Sequence, residues 1–198
     1  MWKGIDVSDN QGVIDWEQVA AAKVSFAILR SVRRSGKADH QFATNLESCR
    51  KHNIPVSVYK YTYAATQDAA RQEAQQVVEL LRSHHLTGTM VWWDVEDRDV
   101  LRPLGARKLT ECIRAAREVI TAAGYSFGLY VGLMYIRSTG LSLMRSLAHG
   151  YGWLDTTKAI AQCGLMMSRI RNSSLMLTVI YLGGSTRAAA RSRASKAM

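Results

Sequence analysis

Cysteine is scarce in this chain of 198 residues, and it forms no recognisable pattern. The three cysteines, Cys49, Cys112 and Cys163, are widely spaced and odd in number, and none belongs to a CxxC pair. This spacing argues against a disulfide framework and against a zinc site. Two of the three lie among apolar residues in predicted helices, so we expect buried free thiols.

Long apolar runs are also missing, and the sequence predicts no secretory leader. No uninterrupted apolar stretch approaches the roughly 20 residues that span a bilayer, so the sequence predicts no transmembrane helix. The N-terminus runs directly from Met1 into a predicted strand at Lys3, without the features of a signal peptide. If the protein acts outside the cell that makes it, we expect another factor to release it.

Acidic residues nearly vanish after residue 132. Residues 1–132 hold 17 Lys and Arg against 15 Asp and Glu, and residues 133–198 hold 9 against 1, so +8 of the net charge of +10 lies in the last third. A basic tail attracts nucleic acid, an acidic membrane surface or an acidic cell-wall polymer, and charge alone does not choose among them. The final segment, 183–198, is of low complexity and is predicted to be disordered.

Strand-like and helix-like stretches alternate through the first 131 residues, at about 30 residues per unit. This alternation predicts an α/β fold with a parallel sheet or barrel, and right-handed crossovers then place the carboxyl ends of the strands on one rim. Asp15 and Thr66 are predicted N-caps, and Pro103 and Gly124 are expected to bracket the last helix. The predicted strands are 3–7, 25–31, 56–63, a central strand within 90–97, 125–131 and 175–182. The predicted helices run from 16 to about 22, from 38 to about 52, from the N-cap at 66 through at least 81, and from 103 to 123.

The stretch Met90-Val-Trp-Trp-Asp-Val-Glu-Asp97 joins a buried strand to paired acids. Side chains alternate along a strand, so Asp94 and Glu96 point to the same face, at the carboxyl end where α/β sheets place their sites. Two such carboxyl groups suit glycoside chemistry, with one protonated acid and one ionised nucleophile, base or charge stabiliser. The alternative is a solvated acidic loop or a helix N-cap.

Short motifs then occur in the order typical of one family. Over residues 2–132 the chain resembles glycoside hydrolase family 25, the N-acetylmuramidases of bacteria and phages. Each motif alone is weak, whereas the ordered set is specific. The motifs are Gly4-Ile-Asp-Val-Ser8, Gln11-Gly12, Ile14-Asp-Trp16, Phe26-Ala-Ile-Leu-Arg30, Ile54-Pro-Val56, Val58-Tyr-Lys-Tyr61, Glu73-Ala74, Trp93-Asp-Val-Glu-Asp97, Gly124-Tyr125 and Gly128-Leu-Tyr130.

The resemblance implies an irregular, flattened TIM-like β/α barrel of five β/α units, with a groove on its carboxyl rim. It implies hydrolysis of the β-1,4 bond between N-acetylmuramic acid and N-acetylglucosamine, without a metal or cofactor. It places Glu96 at the general acid, Asp94 at the carboxylate that helps the substrate's N-acetyl group attack, and Asp6 at a further active-site acid. It makes Tyr61 a candidate substrate contact, with Tyr59 or Tyr63 as competitors and simple packing as the alternative.

Electrostatics give these acids distinct expected states. Three carboxylates on one rim repel one another, so at least one should have a raised pKa and stay protonated near neutrality. We expect Glu96 to hold that proton and Asp94 to orient the acetamido group and stabilise an oxazolinium-like species. Trp92 and Trp93 face opposite ways and are expected to serve packing, and Tyr63 is predicted to share the strand face of the other two tyrosines.

The resemblance stops near Gly132. The family continues with aromatic strands and a closing Asp-x-Asn motif, for which Trp153-Leu-Asp155 is a poor substitute. A shifted reading frame or a decayed gene would produce this change, a hypothesis that re-reading the coding DNA in other frames tests. Without the closing strands we expect the fifth strand to keep an exposed edge, which predicts poor solubility. The sequence is divided into a catalytic domain, 1–182, whose part 133–182 is atypical, and a tail, 183–198.

Three functions follow in order of preference. The first is a muramidase, and the second is a non-catalytic or decayed peptidoglycan-binding module. The third is a nucleic-acid or anionic-surface binder, which the lack of interleaved aromatics in the tail disfavours. We expect a monomer that contacts the peptidoglycan glycan strand and neither nucleic acid nor membrane. It would act on the bacterial wall after phage-type release from the cytoplasm or non-classical export. Arg33-Arg34 near the rim would hold acidic stem peptides of the wall or form a solvated loop.

Overall fold

Six strands lie side by side in chain order and form one sheet. The computed structural model describes residues 3–132 and the backbone of residues 177–182. The first five strands run parallel, as predicted, and the sixth pairs antiparallel with the fifth. The strands are β1 (Gly4–Val7), β2 (Phe26–Arg30), β3 (Val56–Tyr61), β4 (Met90–Val95), β5 (Ser126–Gly132) and β6 (Leu177–Leu182).

Helices connect the parallel strands, and two of their N-caps are as predicted. The Asp15 carboxylate accepts hydrogen bonds from two backbone N–H groups, and the Thr66 hydroxyl accepts one from Ala69. None of the described helices is long and apolar enough to cross a membrane. The helices are α1 (Trp16–Ala21), α2 (Phe42–Lys51), α3 (Gln67–Ser83) and α4 (Gly105–Ala122), with short 3₁₀ helices at Asp9–Gln11 and Arg102–Leu104.

Alternation along the strands separates an apolar face from a polar face. The apolar face packs under the helices, and its Trp93 is 1% exposed with its ring centroid 6.3 Å from that of Phe127, which confirms the packing role predicted for Trp93. Cys49 and Cys112 are buried free thiols, as predicted, and Cys163 lies outside the described residues. The other buried apolar strand residues of this face are Val7, Ala27, Leu29, Val58, Val91, Val95, Leu129 and Val131.

Two predicted element boundaries were wrong at the rim. Helix α2 begins at Phe42 rather than at Ala38, because Ala38 pairs with Val32 in an isolated bridge and the next residues form a turn. Strand β3 ends at Tyr61, so Tyr63 lies beyond the strand rather than on its face.

The start of the last helix also differs from the prediction. Pro103 lies in the 3₁₀ helix Arg102–Leu104, and α4 starts at Gly105, whose φ of +70° separates the two segments. Gly124 follows the end of α4 with φ +88°, as the Pro and Gly bracketing predicts.

The predicted exposed edge of β5 was also wrong. Strand β6 covers that edge, pairing residue by residue from Gly132 opposite Leu177 to Phe127 opposite Leu182. The strand predicted at 175–182 is therefore present at 177–182 and supplies the missing partner. Within the described residues β1 and β6 do not pair with each other, so the barrel is open between them.

Candidate active site

Three adjacent strands bring two acids and two tyrosines to the carboxyl rim. In the sheet register Asp94 of β4 lies between Tyr61 of β3 and Tyr130 of β5. Glu96 follows immediately after β4, two residues beyond Asp94, so both acids share the polar face of the strand. The strand pairing therefore builds the acid pair that the sequence predicts, with a tyrosine on each side of Asp94.

Asp94 is the most strongly perturbed acid of the rim. Its side chain is buried, at 9% residue exposure, and its Oδ1 atom has no hydrogen-bond partner in the part of the chain that the structure describes. Burial raises the pKa of Asp94 to about 8, the negative charges of Glu96 and Asp6 add to the rise, and the ammonium of Lys60 opposes it. At neutral pH the free protein therefore keeps a proton on this acid.

Glu96 is half-buried and has a hydrogen-bonded partner. Burial raises the pKa of Glu96, whereas a hydrogen bond from the Tyr130 hydroxyl and the positive charge of Arg98 lower it. The expected rise in the pKa of Glu96 is thus present, but the larger rise falls on Asp94. The physical reason is that Asp94 is more deeply buried and has an unpaired oxygen. Since the two acids interact, they titrate as a pair.

Asp6 belongs to the same electrostatic neighbourhood. It lies on β1 with an exposed side chain. Burial is the largest cause of the raised pKa values of Asp94, Tyr59 and Tyr130, and the negative charge of Asp6 raises each of them further. Tyr59 hydrogen-bonds with the Ser8 side chain, and burial raises the pKa of Tyr59 to about 12. The structure therefore groups Asp6, Asp94 and Tyr59 at one rim.

No group of three His, Cys, Asp or Glu side chains among the described residues is arranged to hold a metal ion.

An ion-pair cluster that the sequence did not predict joins the loops after β1 and β2. Arg30 pairs with Asp9, and its Nε donates to Asp39 Oδ2 at 2.6 Å. Asp39 also accepts a hydrogen bond from the backbone N–H of Asp9 at 3.1 Å, and His40 Nδ1 lies 2.9 Å from Asp9 Oδ2. The cluster fixes the two loops beside the acid pair, and its signal in sequence is only the position of Arg30 at the end of a strand.

A second network fixes the turn that follows β3. The fully buried Lys60 ammonium donates to the Tyr61 carbonyl at 2.8 Å and lies 3.4 Å from Glu73 Oε1. Glu73 also accepts from the Thr62 hydroxyl at 2.6 Å and from the Tyr63 backbone N–H at 3.2 Å. These contacts hold the Tyr61 and Tyr63 rings together, with centroids 5.0 Å apart.

Trp92 forms part of the polar face below the acid pair. Its indole Nε1 donates to Ser57 Oγ at 3.3 Å, and its ring covers Gly128, where an added Cβ would lie 2.4 Å from the indole. The sequence predicts packing for Trp92, and the structure adds that only a residue without a Cβ leaves room for its ring.

A model of the glycosyl hydrolases family 25 matches residues 5–173. The chain belongs to this family. The family match extends beyond residue 132, where the quoted motifs end, into residues that the structure does not describe. A search of curated proteins found no match.

Solved structures resemble the described fold of this family 25 chain. The modular autolysin LytC from Streptococcus pneumoniae is 27% identical, with a TM-score of 0.57 over 64% of this chain and 32% of LytC. The catalytic domain of endolysin ply40 from bacteriophage P40 of Listeria monocytogenes is 21% identical, with a TM-score of 0.59 over 70% of this chain and 68% of that domain. The bacterial lysozyme from Streptomyces coelicolor is 20% identical, with a TM-score of 0.53 over 64% and 61%.

These matches confirm the predicted fold class, an α/β architecture related to the TIM-like family 25 fold. The chain spans about a third of the length of LytC. The roles of Glu96, Asp94, Asp6, Tyr61 and Tyr59 stay predictions, as does the division of the chain at residue 182.

Proposed function

We propose that this chain hydrolyses the β-1,4 bond between N-acetylmuramic acid and N-acetylglucosamine in peptidoglycan. Membership of family 25 supports glycoside hydrolysis. A structure of LytC in complex with a synthetic peptidoglycan ligand, from a protein 27% identical over 64% of this chain, supports the substrate class. The observation that carries the proposal is the buried, unpaired Oδ1 atom of Asp94 beside Glu96.

The unpaired Oδ1 atom of Asp94 offers a route by which the proton shared by the acid pair reaches Glu96, the proposed general acid. In the free protein the proton of the pair favours Asp94, whose pKa is the more strongly raised. An acetamido N–H of the substrate that donates to Oδ1 would stabilise ionised Asp94, because a hydrogen bond to the charged form lowers its pKa. The shared proton then moves to Glu96, so substrate binding itself prepares the general acid.

The bond is then broken in two steps. Glu96 protonates the leaving glycosidic oxygen while the acetamido carbonyl oxygen attacks the anomeric carbon, and ionised Asp94 stabilises the positive oxazolinium intermediate. Glu96, now ionised, removes a proton from water, which attacks the anomeric carbon and reopens the ring. The Tyr130 hydroxyl holds Glu96 in place during both steps, and the negative charge of Asp6 helps to stabilise the positive charge that develops on the sugar.

Substitution of Glu96 tests the proposal. We expect Glu96→Gln to lower the release of reducing ends from purified bacterial walls by about 100-fold or more, the usual contribution of a general acid. The matched control is Glu118→Gln, the same change at an exposed position of α4, which should keep full activity. Wall clearing by Glu96→Gln at the parent rate would refute the role of Glu96. A parent chain that binds walls without releasing reducing ends would instead indicate a non-catalytic peptidoglycan-binding module.

A further inference from the structure

Arg34 lies near the carboxyl rim, beyond Tyr63 from the acid pair. Its Cζ atom lies 4.5 Å from the centroid of the Tyr63 ring, and that ring contacts Tyr61, which pairs in register with Asp94. The guanidinium group, the two rings and the acid therefore form one continuous row. From Arg34 to the Tyr61 ring the row measures at most about 10 Å, a distance that an extended peptide covers in about three residues.

The loop that carries Arg34 is a tight, braced turn. Val32 pairs with Ala38 across its base, and the Arg33 backbone N–H donates to the Lys37 carbonyl at 2.9 Å. Gly36, at φ +81°, lies against the Gln76 side chain of α3. Because both ends of the turn and its tip are held, Arg34 is presented in a fixed position.

The stacked guanidinium group keeps its donors available. Arg34 is exposed, and within the described residues it has no hydrogen bond or ion pair, in contrast to Arg30, which two aspartates engage. Stacking uses the flat face of a guanidinium group and leaves its N–H edge free for a bidentate contact with a carboxylate. A carboxylate on the substrate is also repelled by the negative charges of Asp6 and of the ionised member of the acid pair, so the basic end of the row is where it is favoured.

We propose that Arg34, stacked on Tyr63, binds a carboxylate of the acidic stem peptide attached to the glycan strand at the acid pair. The inference rests on the proposed peptidoglycan substrate and extends it from the sugar chain to the peptide. The Tyr63 ring supports the guanidinium group, and Tyr61 lies between this peptide position and the acids.

Binding to insoluble peptidoglycan tests this position separately from hydrolysis. Co-sedimentation is measured in the Glu96→Gln background, with native peptidoglycan and with peptidoglycan whose stem carboxyl groups have been converted to amides. We expect Arg34→Gln to weaken binding to native peptidoglycan about tenfold, in line with the loss of a charged hydrogen bond at an exposed site. The same variant should bind the amidated polymer as its parent does, and Arg34→Lys should lie between the two.

The matched control is Lys37→Gln, which removes one positive charge from the same loop without touching the stacked rings. It should change binding less than twofold. Equal losses for Lys37→Gln and Arg34→Gln, or equal losses on native and amidated polymer, would overturn the proposal in favour of general charge attraction. Unchanged binding of Arg34→Gln would overturn it as well. A further outcome is that the Glu96→Gln protein binds native and amidated peptidoglycan with the expected difference while the chain with Glu96 intact releases no reducing ends. In that case the proposed peptide position stands and the hydrolase proposal falls.

Discussion

Replacing Asp94 with Asn should make the protein more stable at neutral pH while removing its activity. The pKa of Asp94 rises from 3.8 to about 8 on folding. A raised pKa in the folded state means that stability is complete below about pH 4 and is lost as the pH rises towards 8, since the unfolded chain releases a proton that the folded chain keeps. Asn has no such proton, so the variant escapes this loss.

The size of the effect follows from the two pKa values. At pH 7 the unfolded value lies about 3 pKa units below the pH, and each unit corresponds to about 1.36 kcal/mol, so burial of Asp94 costs up to about 4 kcal/mol. The figure is an upper bound, because the folded protein relaxes around the charge. Asn and protonated Asp have nearly the same shape, so Asp94→Asn and the parent should have similar free energies of unfolding at pH 4.

Urea denaturation at a series of pH values from 4 to 9 measures this difference. The free energy of unfolding of Asp94→Asn minus that of the parent should grow with pH, at up to about 1.36 kcal/mol per pH unit, and level off above pH 8. Asp99→Asn, the same change at an exposed position close by in the chain, should show no such dependence. A difference for Asp94→Asn that stays constant across the series would refute the reasoning, because Asp94 would then not titrate near 8.

Two further substitutions probe the surroundings of the acid pair. Lys60→Met removes the positive charge that holds down the pKa of Asp94, so the alkaline limit of activity should move to higher pH; an unchanged pH profile of kcat/KM would contradict this link. Gly128→Ala places a Cβ 2.4 Å from the Trp92 indole, so it should displace that ring and lower the free energy of unfolding by about 1–3 kcal/mol. Urea denaturation followed by tryptophan fluorescence checks the second change, and an unaltered midpoint would contradict it.

The sequence predicted the positions of Asp94 and Glu96 because the spacing of residues along one strand determines which face each side chain points to. The alternation of side chains along β4 is sufficient to place Asp94 and Glu96 on the face opposite Trp93, and the structure has this arrangement. The caps at Asp15 and Thr66 were predictable for the same reason, since each side chain bonds to backbone N–H groups two or three residues away.

The partners of the acids were not predictable, because they depend on which strands become neighbours. Tyr130 lies 34 residues beyond Glu96 in sequence, and only the pairing of β4 with β5 brings its strand beside Asp94. The role of Lys60 was not predictable for a different reason. A lysine on a strand is expected to reach water, whereas here Glu73 and the Tyr61 carbonyl satisfy its buried ammonium group. The pairing of β6 with β5 joins residues about 50 positions apart, beyond the reach of local patterns.

The stability lost at Asp94 is recovered on the opposite face of the same strand. Val91, Trp93 and Val95 are each at most 1% exposed, and burial of a large apolar side chain contributes about 1.5–3 kcal/mol. Three such side chains outweigh a cost of about 4 kcal/mol at the neighbouring acid. Strand β4 can therefore carry a buried, unpaired carboxyl oxygen on its polar face because its apolar face anchors it under the helices. Substitutions on the two faces of β4 should accordingly have different main effects. Those on the polar face should alter activity, and those on the apolar face should unfold the chain.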